Sequence, residues 1–239
     1  MKILGIDSSG LVASVAIWED GVLRGEYTVN YAKTHSQTLL PMLDALAKLT
    51  ELDLASLDAV AVAAGPGSFT GLRIGSATAK GLCQALDKPI VEVPTVDALA
   101  YNMAGASGLV CPLMDARRNQ VYTGVYSFEG AKLHTVREQE AMGVEELIEY
   151  LNALGETVAF LGDGVPVHKK TLEEKVLVPH YYAPAHMALQ RAGAVASLGA
   201  ILFSEGKAVD AAAHVPTYLR MSQAERERKE RLLKEGKEA

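Results

Sequence analysis

KILGIDSSG, residues 2–10, is an apolar run that ends in an aspartate followed by small polar residues. A second apolar run with an aspartate at its end, GLVCPLMDA, spans residues 108–116. Two further strand-like segments follow each run. After the first run, these segments are ASVAIWE (13–19) and GVLRGEYTV (21–29). Each group of three segments predicts a β-meander, and the two groups together predict one structural unit that the chain uses twice.

The segments after each meander extend this repeat. Apolar positions spaced by three and four residues predict helices, and short apolar runs bounded by glycine or proline predict strands. In the first half, the expected elements are a helix at 39–49, a strand at 58–65, a helix at 71–86, a strand at 89–93 and a helix at 95–103. In the second half, they are strands at 120–128 and 131–137, a helix at 144–154, a strand at 156–164 and a helix at 187–206.

An α/β chain with this duplicated order is typical of the actin-like fold (ASKHA, ribonuclease H-like), in which two domains each hold a mixed sheet flanked by helices. We expect an N-terminal domain at 1–105, a C-terminal domain at 106–219, and a charged helical or disordered tail at 220–239.

In that architecture a nucleotide lies between the domains, and the aspartates at the strand ends approach its metal and phosphates. Asp7 and Asp115 occupy these positions, and Ser8 and Ser9 follow the first of them, so these four residues are the candidate cofactor-binding residues. The turn after Asp115, ARRNQ, offers no glycine to a phosphate. Weak ATP or ADP binding therefore stays open, and no tightly bound cofactor is expected.

The charge of the chain is uneven. Residues 220–239 contain seven Lys and Arg against five Asp and Glu, which leaves 16 against 24, a charge of −8, for residues 1–219. An acidic body binds nucleic acid poorly on its own, because contacts to phosphates supply most of that affinity. The longest apolar window, residues 192–203, is too short to span a membrane, and the N-terminus lacks a signal-peptide pattern. We therefore expect a cytoplasmic protein with no membrane contact.

No pattern of catalytic or metal-binding residues emerges from the sequence. His35 stands alone in KTHSQTLL, without a second ligand three or four residues further on. Cys83 and Cys111 form neither a CxxC pair nor a zinc cluster. Ser36 and Ser68 lack the neighbouring His/Asp arrangement that would mark a nucleophile, and Ser68 is not in a GxSxG motif. We expect neither a catalytic constellation nor a metal site.

AAGPGSFTGLRIG, residues 63–75, is a glycine-rich turn between a strand and a helix that Thr70 can cap. It lacks the GxxxxGK[ST] spacing of a P-loop. Gly71, Gly75 and Ala79 recur every four residues inside the helix, where each glycine costs about 1 kcal/mol relative to alanine. This stripe predicts a close neighbour at the helix axis, most simply another helix of the same chain or of a partner.

Several motifs along nearly the whole chain resemble those of the TsaB (YeaZ) family. They are IDSSG (6–10), HSQTLLPML (35–43), GPGSFTGLRIG (65–75), AKGLCQAL (79–86), VPTVDALA (93–100) and VPTYLR (215–220). The resemblance implies a two-domain actin-like fold and a non-catalytic scaffold that activates threonylcarbamoylation of adenosine 37 in tRNAs reading ANN codons. It implies a heterodimer with the catalytic paralogue TsaD, on which the P-loop ATPase TsaE docks, an indirect relation to tRNA through this complex, and a homodimer in the absence of the partner.

The resemblance also places the pairing surface on the helices that contain residues 36–49 and 71–86. The implied interface residues are Leu39, Leu43, Leu46, Gly71, Leu72, Arg73, Gly75, Ala79 and Cys83. The catalytic paralogue has a paired-histidine metal motif where this chain has only His35, which implies that the metal site is missing here. The alternative is an ATP- and metal-dependent enzyme or a peptidase-like protein that uses Asp7 and Asp115.

Overall fold

The computed structural model describes residues 1–31 and 34–220 of the 239-residue chain. The strands in these ranges are β1 (Lys2–Asp7), β2 (Ala13–Glu19), β3 (Val22–Val29), β4 (Ala59–Gly65), β5 (Ile90–Pro94), β6 (Leu109–Asp115), β7 (Gln120–Glu129), β8 (Lys132–Gly143), β9 (Val158–Leu161), β10 (His180–Tyr182) and β11 (Ala208–Val209). The α-helices are α1 (His35–Leu49), α2 (Phe69–Leu86), α3 (Thr95–Tyr101), α4 (Val144–Leu154), α5 (Gly164–Lys175) and α6 (Ala192–Ser204).

Two sheets with the same strand plan organise the chain. The first has the order β11-β5-β4-β1-β2-β3, and the second has the order β10-β9-β6-β7-β8. In each sheet the three strands of a meander pair antiparallel, and the first of them also pairs in parallel with the strand that follows the next helix. The predicted duplicated actin-like fold is therefore confirmed.

The second unit differs from the prediction in its last helix. The structural counterpart of α2 is α5, which the sequence reasoning did not identify, and the predicted helix at 187–206 is the separate α6. The segment GVPVHKKTLEEK of α5 contains glycine, proline and many charged residues, and it buries only Gly164, His168 and Leu172. Its helical apolar pattern is therefore too sparse to be recognised from spacing alone.

The chain returns to the first domain after completing the second. Helix α6 packs on the first sheet through Val195 and Ala196, and β11 pairs antiparallel with β5. The side chain of Asn102, on the outgoing connection, donates hydrogen bonds to the carbonyls of Met187 (3.0 Å) and Leu189 (2.8 Å) on the returning one. The predicted C-terminal domain at 106–219 therefore ends too late in the sequence, because its last helix and strand pack on the first domain. The predicted tail at 220–239 lies outside the described residues except for Arg220.

Helix α2 begins two residues earlier than predicted and lies directly on the end of β1. Its N-cap is Ser68, whose hydroxyl accepts a hydrogen bond from the Gly71 amide at 3.3 Å, rather than Thr70. A Cβ added to Gly71 would lie 2.0 Å from the Ser8 carbonyl oxygen, and one added to Gly75 would lie 2.5 Å from the Ser8 hydroxyl oxygen. The predicted close neighbour exists, but it is the turn after β1 rather than a second helix.

Most of the side chains expected at a partner interface lie inside the chain. Each of the following is buried: Leu39, Leu43, Leu46, Gly71, Leu72, Gly75, Ala79 and Cys83. They contribute to the core between α1, α2 and the first sheet or to the contact with β1, because the apolar stripes of both helices face that sheet. Of the predicted interface residues only Arg73 is exposed. Eight of the nine predicted interface residues are therefore packing residues of the chain itself.

The two kinds of glycine in α2 predict opposite effects of alanine. Gly71→Ala should lower the free energy of unfolding by about 2 kcal/mol or more, because its Cβ would collide with backbone. Gly81→Ala should raise it by about 1 kcal/mol, because Gly81 is exposed and a Cβ there meets no described atom within 4 Å. Urea unfolding of the three proteins measures both changes. Equal effects of the two substitutions would contradict this packing.

Candidate functional site

A cleft of about 570 Å³ opens between the two domains. The turn after β1 and the start of α2 form one wall, and the end of β6 with the starts of β7 and α5 forms the other. The lining residues are Ser9, Gly10, Leu11, Gly67, Ser68, Phe69, Thr70, Met114, Asp115, Ala116, Arg117, Tyr122, Asp163, Val167 and Arg220. Two of the four candidate cofactor-binding residues, Ser9 and Asp115, are among them.

Asp7 and Ser8 are turned away from the cleft. The Asp7 carboxylate is buried and accepts hydrogen bonds from the Ser9 amide at 2.9 Å and the Ser9 hydroxyl at 2.7 Å. Burial raises the pKa of Asp7 to about 6. The Ser8 hydroxyl donates to the Gly71 carbonyl at 2.9 Å. The polar groups of this turn hold the turn itself together, and they do not present the open cradle that a metal-bound nucleotide requires.

Asp115 is joined on the opposite wall by Asp163, which sequence reasoning did not select. The Asp115 amide donates to the Asp163 carboxylate at 3.3 Å, and burial together with the Asp115 charge raises the pKa of Asp163. The sequence feature that marks Asp163 is LGDG at 161–164, a glycine turn that follows β9 just as the PGS turn follows β4. Gly162 is required there, because its φ is +104° and a Cβ would lie 2.1 Å from the Leu113 carbonyl oxygen.

The turn between β6 and β7 has an unusual backbone. Arg117, Arg118 and Asn119 all lie in the left-handed region, with φ values of 65°, 57° and 59°. This conformation costs about 1 kcal/mol or more for each residue with a side chain, and glycine would avoid the cost. The turn is fixed by hydrogen bonds from the Ala116 amide to the Gln120 carbonyl (3.0 Å) and from the Arg117 amide to Asp115 (2.8 Å). Its sequence contains no residue that signals this shape strongly.

His35 contacts the first wall without forming a metal site. Its Nε2 lies 2.9 Å from the Gly10 carbonyl oxygen. Within residues 1–31 and 34–220, no three His, Cys, Asp or Glu side chains come close enough together to hold a metal ion. In the same ranges no helix is both long and apolar enough to cross a bilayer.

A Ser–His–Glu arrangement lies away from the cleft. His214 Nε2 is 2.8 Å from the Ser76 hydroxyl oxygen, and His214 Nδ1 is 2.6 Å from a Glu92 carboxylate oxygen. These contacts resemble those of a nucleophile, base and acid. Ser76 and His214 are only 4% and 1% exposed, however, so the hydroxyl is closed to a substrate. The arrangement instead fastens the C-terminal segment to α2 and β5, and its long sequence separations explain why no sequence motif marks it.

The outward side of α2 carries a second stripe. Arg73, Ala77, Gly81 and Ala85 are exposed and spaced by four residues. Three of them are small, so the helix backbone is accessible along this line. On α1, Leu40 is 53% exposed, and the ion pair between Asp44 and Lys48 is exposed as well. The two helices thus face the core with large apolar side chains and face solvent with a mixture of small, apolar and charged residues.

The two-sheet fold, with its interdomain cleft, defines a two-domain α/β protein of the actin-like class. Residues 28–228 match the family described as TsaD, tRNA N6-adenosine threonylcarbamoyltransferase. The chain is 35% identical over 227 residues to the tRNA threonylcarbamoyladenosine biosynthesis protein TsaB of Bacillus subtilis, covering 94% of this chain and 96% of the relative. It is 30% identical over 223 residues to TsaB of Escherichia coli, covering 92% and 95%.

Among solved structures, YeaZ from Pseudomonas aeruginosa matches with a TM-score of 0.79 and 27% sequence identity, over 91% of this chain and 99% of that one. The chain belongs to the TsaB (YeaZ) family of tRNA threonylcarbamoyladenosine biosynthesis proteins. The resemblance to this family that the sequence motifs indicate is therefore confirmed.

The raised pKa of Asp7 predicts how stability changes with pH. Its folded-state pKa of about 6 lies above the ordinary value of 3.8, so its contribution to stability is complete below pH 3.8 and is lost as the pH rises through 6. Asp7→Asn keeps an acceptor for Ser9 and carries no charge. Its free energy of unfolding, relative to the unsubstituted chain, should rise by about 2 to 3 kcal/mol between pH 4 and pH 8.

Chemical unfolding at a series of pH values measures this difference. The exposed-site control Asp44→Asn should change by only a few tenths of a kcal/mol over the same range. A difference for Asp7→Asn that does not vary with pH would rule out this account of its burial.

His214→Ala should lower the free energy of unfolding by about 2 to 4 kcal/mol, because it removes a buried ring and leaves Ser76 and Glu92 without a partner. The control is His134→Ala, at a ring that is 42% exposed beside Glu129, and it should cost less than about 0.5 kcal/mol. Thermal or urea unfolding distinguishes the two, and similar costs would mean that the buried arrangement does not fasten the C-terminal segment.

Proposed function

We propose that this chain is a non-catalytic accessory subunit for threonylcarbamoylation of adenosine 37 in tRNAs that read ANN codons, and that it acts by pairing with the catalytic paralogue TsaD. Membership of the TsaB family supports the pathway. The observation that carries the pairing is the small-residue part of the outward stripe of α2, formed by Ala77, Gly81 and Ala85.

Gly81 supports a partner at this stripe most directly. A glycine inside a helix costs about 1 kcal/mol, and here no described atom beyond the neighbouring residues and backbone of α2 itself lies within 4 Å of the position that a Cβ would take. Packing within the described chain therefore does not require it. A second helix that crosses α2 closely does require a small residue at the crossing, because the axes of packed helices approach to about 8 to 10 Å.

Helix α1 extends this surface. Leu40 is 53% exposed, although Leu39, Leu43 and Leu46 of the same helix are buried in the core. The proposed interface therefore uses the two helices named from the sequence, but the side chains that they expose rather than those that they bury. The buried leucines support it indirectly, by fixing α1 against the sheet.

We infer three further partners, which are a second copy of this chain, TsaE and tRNA. In the absence of TsaD, the same exposed face pairs two copies of this chain. TsaE docks on the heterodimer, and tRNA reaches this chain as part of that complex. The inward orientation of Asp7 and Ser8 supports a role without tight nucleotide binding. A cytoplasmic location belongs to this proposal as well.

A reconstituted tRNA threonylcarbamoylation reaction tests the function. Modification should require this chain together with TsaD and TsaE, and the chain alone should modify no tRNA. Modification by the chain alone would overturn the proposal and restore the alternative of an enzyme that uses Asp115 and the cleft.

Gly81→Arg tests the pairing surface. Arginine is a better helix former than glycine, so the isolated chain should remain folded and become slightly more stable. Co-purification with TsaD and tRNA modification should both fall at least tenfold, because the long side chain blocks the helix crossing. The control Ala153→Arg places the same side chain at an exposed position of α4 and should change neither. Normal pairing of the Gly81 variant would exclude this face.

A further inference from the structure

We propose that four arginines at the mouth of the interdomain cleft form a contact surface for the phosphate backbone of RNA. This arginine rim consists of Arg73, Arg117, Arg118 and Arg220. The inference rests on the proposed function, since it assigns to this chain a direct share in binding the tRNA on which the complex acts.

The C-terminal segment brings the four arginines together. The guanidinium of Arg220 donates a hydrogen bond to the carbonyl of Ala116, directly before Arg117 and Arg118. Tyr218, two residues before Arg220, accepts a hydrogen bond from Arg73 Nε at 3.3 Å. One end of the rim therefore lies on α2 and the other on the turn between β6 and β7, on opposite walls of the cleft.

Two of the guanidinium groups are held in place before any ligand arrives. The rings of Phe69 and Tyr218 stack with their centroids 4.3 Å apart, and the Arg73 guanidinium carbon lies 5.7 Å and 5.9 Å from the two centroids. Arg220 is held by its bond to Ala116. A planar guanidinium fixed in this way donates two parallel hydrogen bonds to phosphate oxygens at a small loss of side-chain entropy.

Arg117 and Arg118 project from the left-handed turn. Both residues occupy a backbone conformation that glycine adopts at less cost, so the turn geometry alone does not account for arginine at either position. Arg117 is 84% exposed and pairs with Asp115 at 3.3 Å. In the described part of the chain, the Arg118 side chain makes no hydrogen bond or ion pair. It is exposed and available to an anion.

The charge balance favours a local role for the rim. The facing carboxylates are Asp115, which is 14% exposed and already paired, and Asp163, whose pKa burial raises. Residues 1–219 as a whole carry a charge of −8, so the rim is a basic site on an acidic body. Such a chain attracts RNA weakly by itself and contributes contacts once a partner holds the RNA nearby. An RNA backbone fits better than an acidic peptide because tRNA is the substrate of this pathway.

The test uses the complex of this full-length chain with TsaD and an unmodified tRNA transcript. Fluorescence anisotropy at several salt concentrations gives the affinity and its salt dependence. The double variant Arg117→Gln, Arg118→Gln should bind tRNA about tenfold or more weakly at low salt, and the slope of log affinity against log salt should fall by about one to two. Size-exclusion chromatography should show unchanged pairing with TsaD.

The matched control is the double variant Arg24→Gln, Lys132→Gln, which also removes two cations. Both residues lie at or next to hairpin turns, away from the ends of β1 and β6 that form the cleft. Its affinity and salt slope should stay near those of the unsubstituted complex. Equal losses in the two double variants, or no loss in the arginine variant, would overturn the rim as an RNA contact.

Two other outcomes would contradict either the RNA assignment or the proposed function. Displacement of tRNA by a polyglutamate peptide as efficiently as by unlabelled tRNA would assign the rim to an acidic protein segment and overturn the RNA assignment. Failure of the unsubstituted chain to pair with TsaD would instead refute the proposed function. The two failures are therefore distinguished by the pairing measurement.

Discussion

The contact between Ser8 and the first turns of α2 fixes the geometry of the first domain. Gly71 and Gly75 let the helix lie directly on the turn after β1, and the Ser8 hydroxyl bonds to the Gly71 carbonyl at 2.9 Å. This contact closes the turn around Asp7 and sets one wall of the cleft. It also determines which side of α2 faces solvent, so the orientation of the exposed stripe follows from it.

The strands of both meanders and the strands β4, β5 and β9 could be predicted from the sequence, because apolar runs and meanders are local patterns. The short edge strands β10 and β11 were not predicted. The helix α5 could not be predicted, since only a few of its residues are buried. The C-terminal boundary of the second domain could not be predicted either, because the pairing of β11 with β5 joins segments more than 100 residues apart.

At the functional surfaces too, local patterns could be predicted from the sequence, and contacts between distant residues could not. The glycine stripe correctly indicated a close neighbour of α2, but spacing along a helix does not say whether that neighbour belongs to the chain or to a partner. Ser76, Glu92 and His214 meet only in the folded chain. The left-handed turn at Arg117 lacks glycine and so lacked its usual sequence signal.

The return of the chain to its first sheet makes the second domain an insertion within the first. Two covalent connections join the domains, and Asn102 ties one to the other through the carbonyls of Met187 and Leu189. Because the two connections are neighbours and are hydrogen-bonded to each other, a proteolytic cut in either one would leave the domains joined through the other.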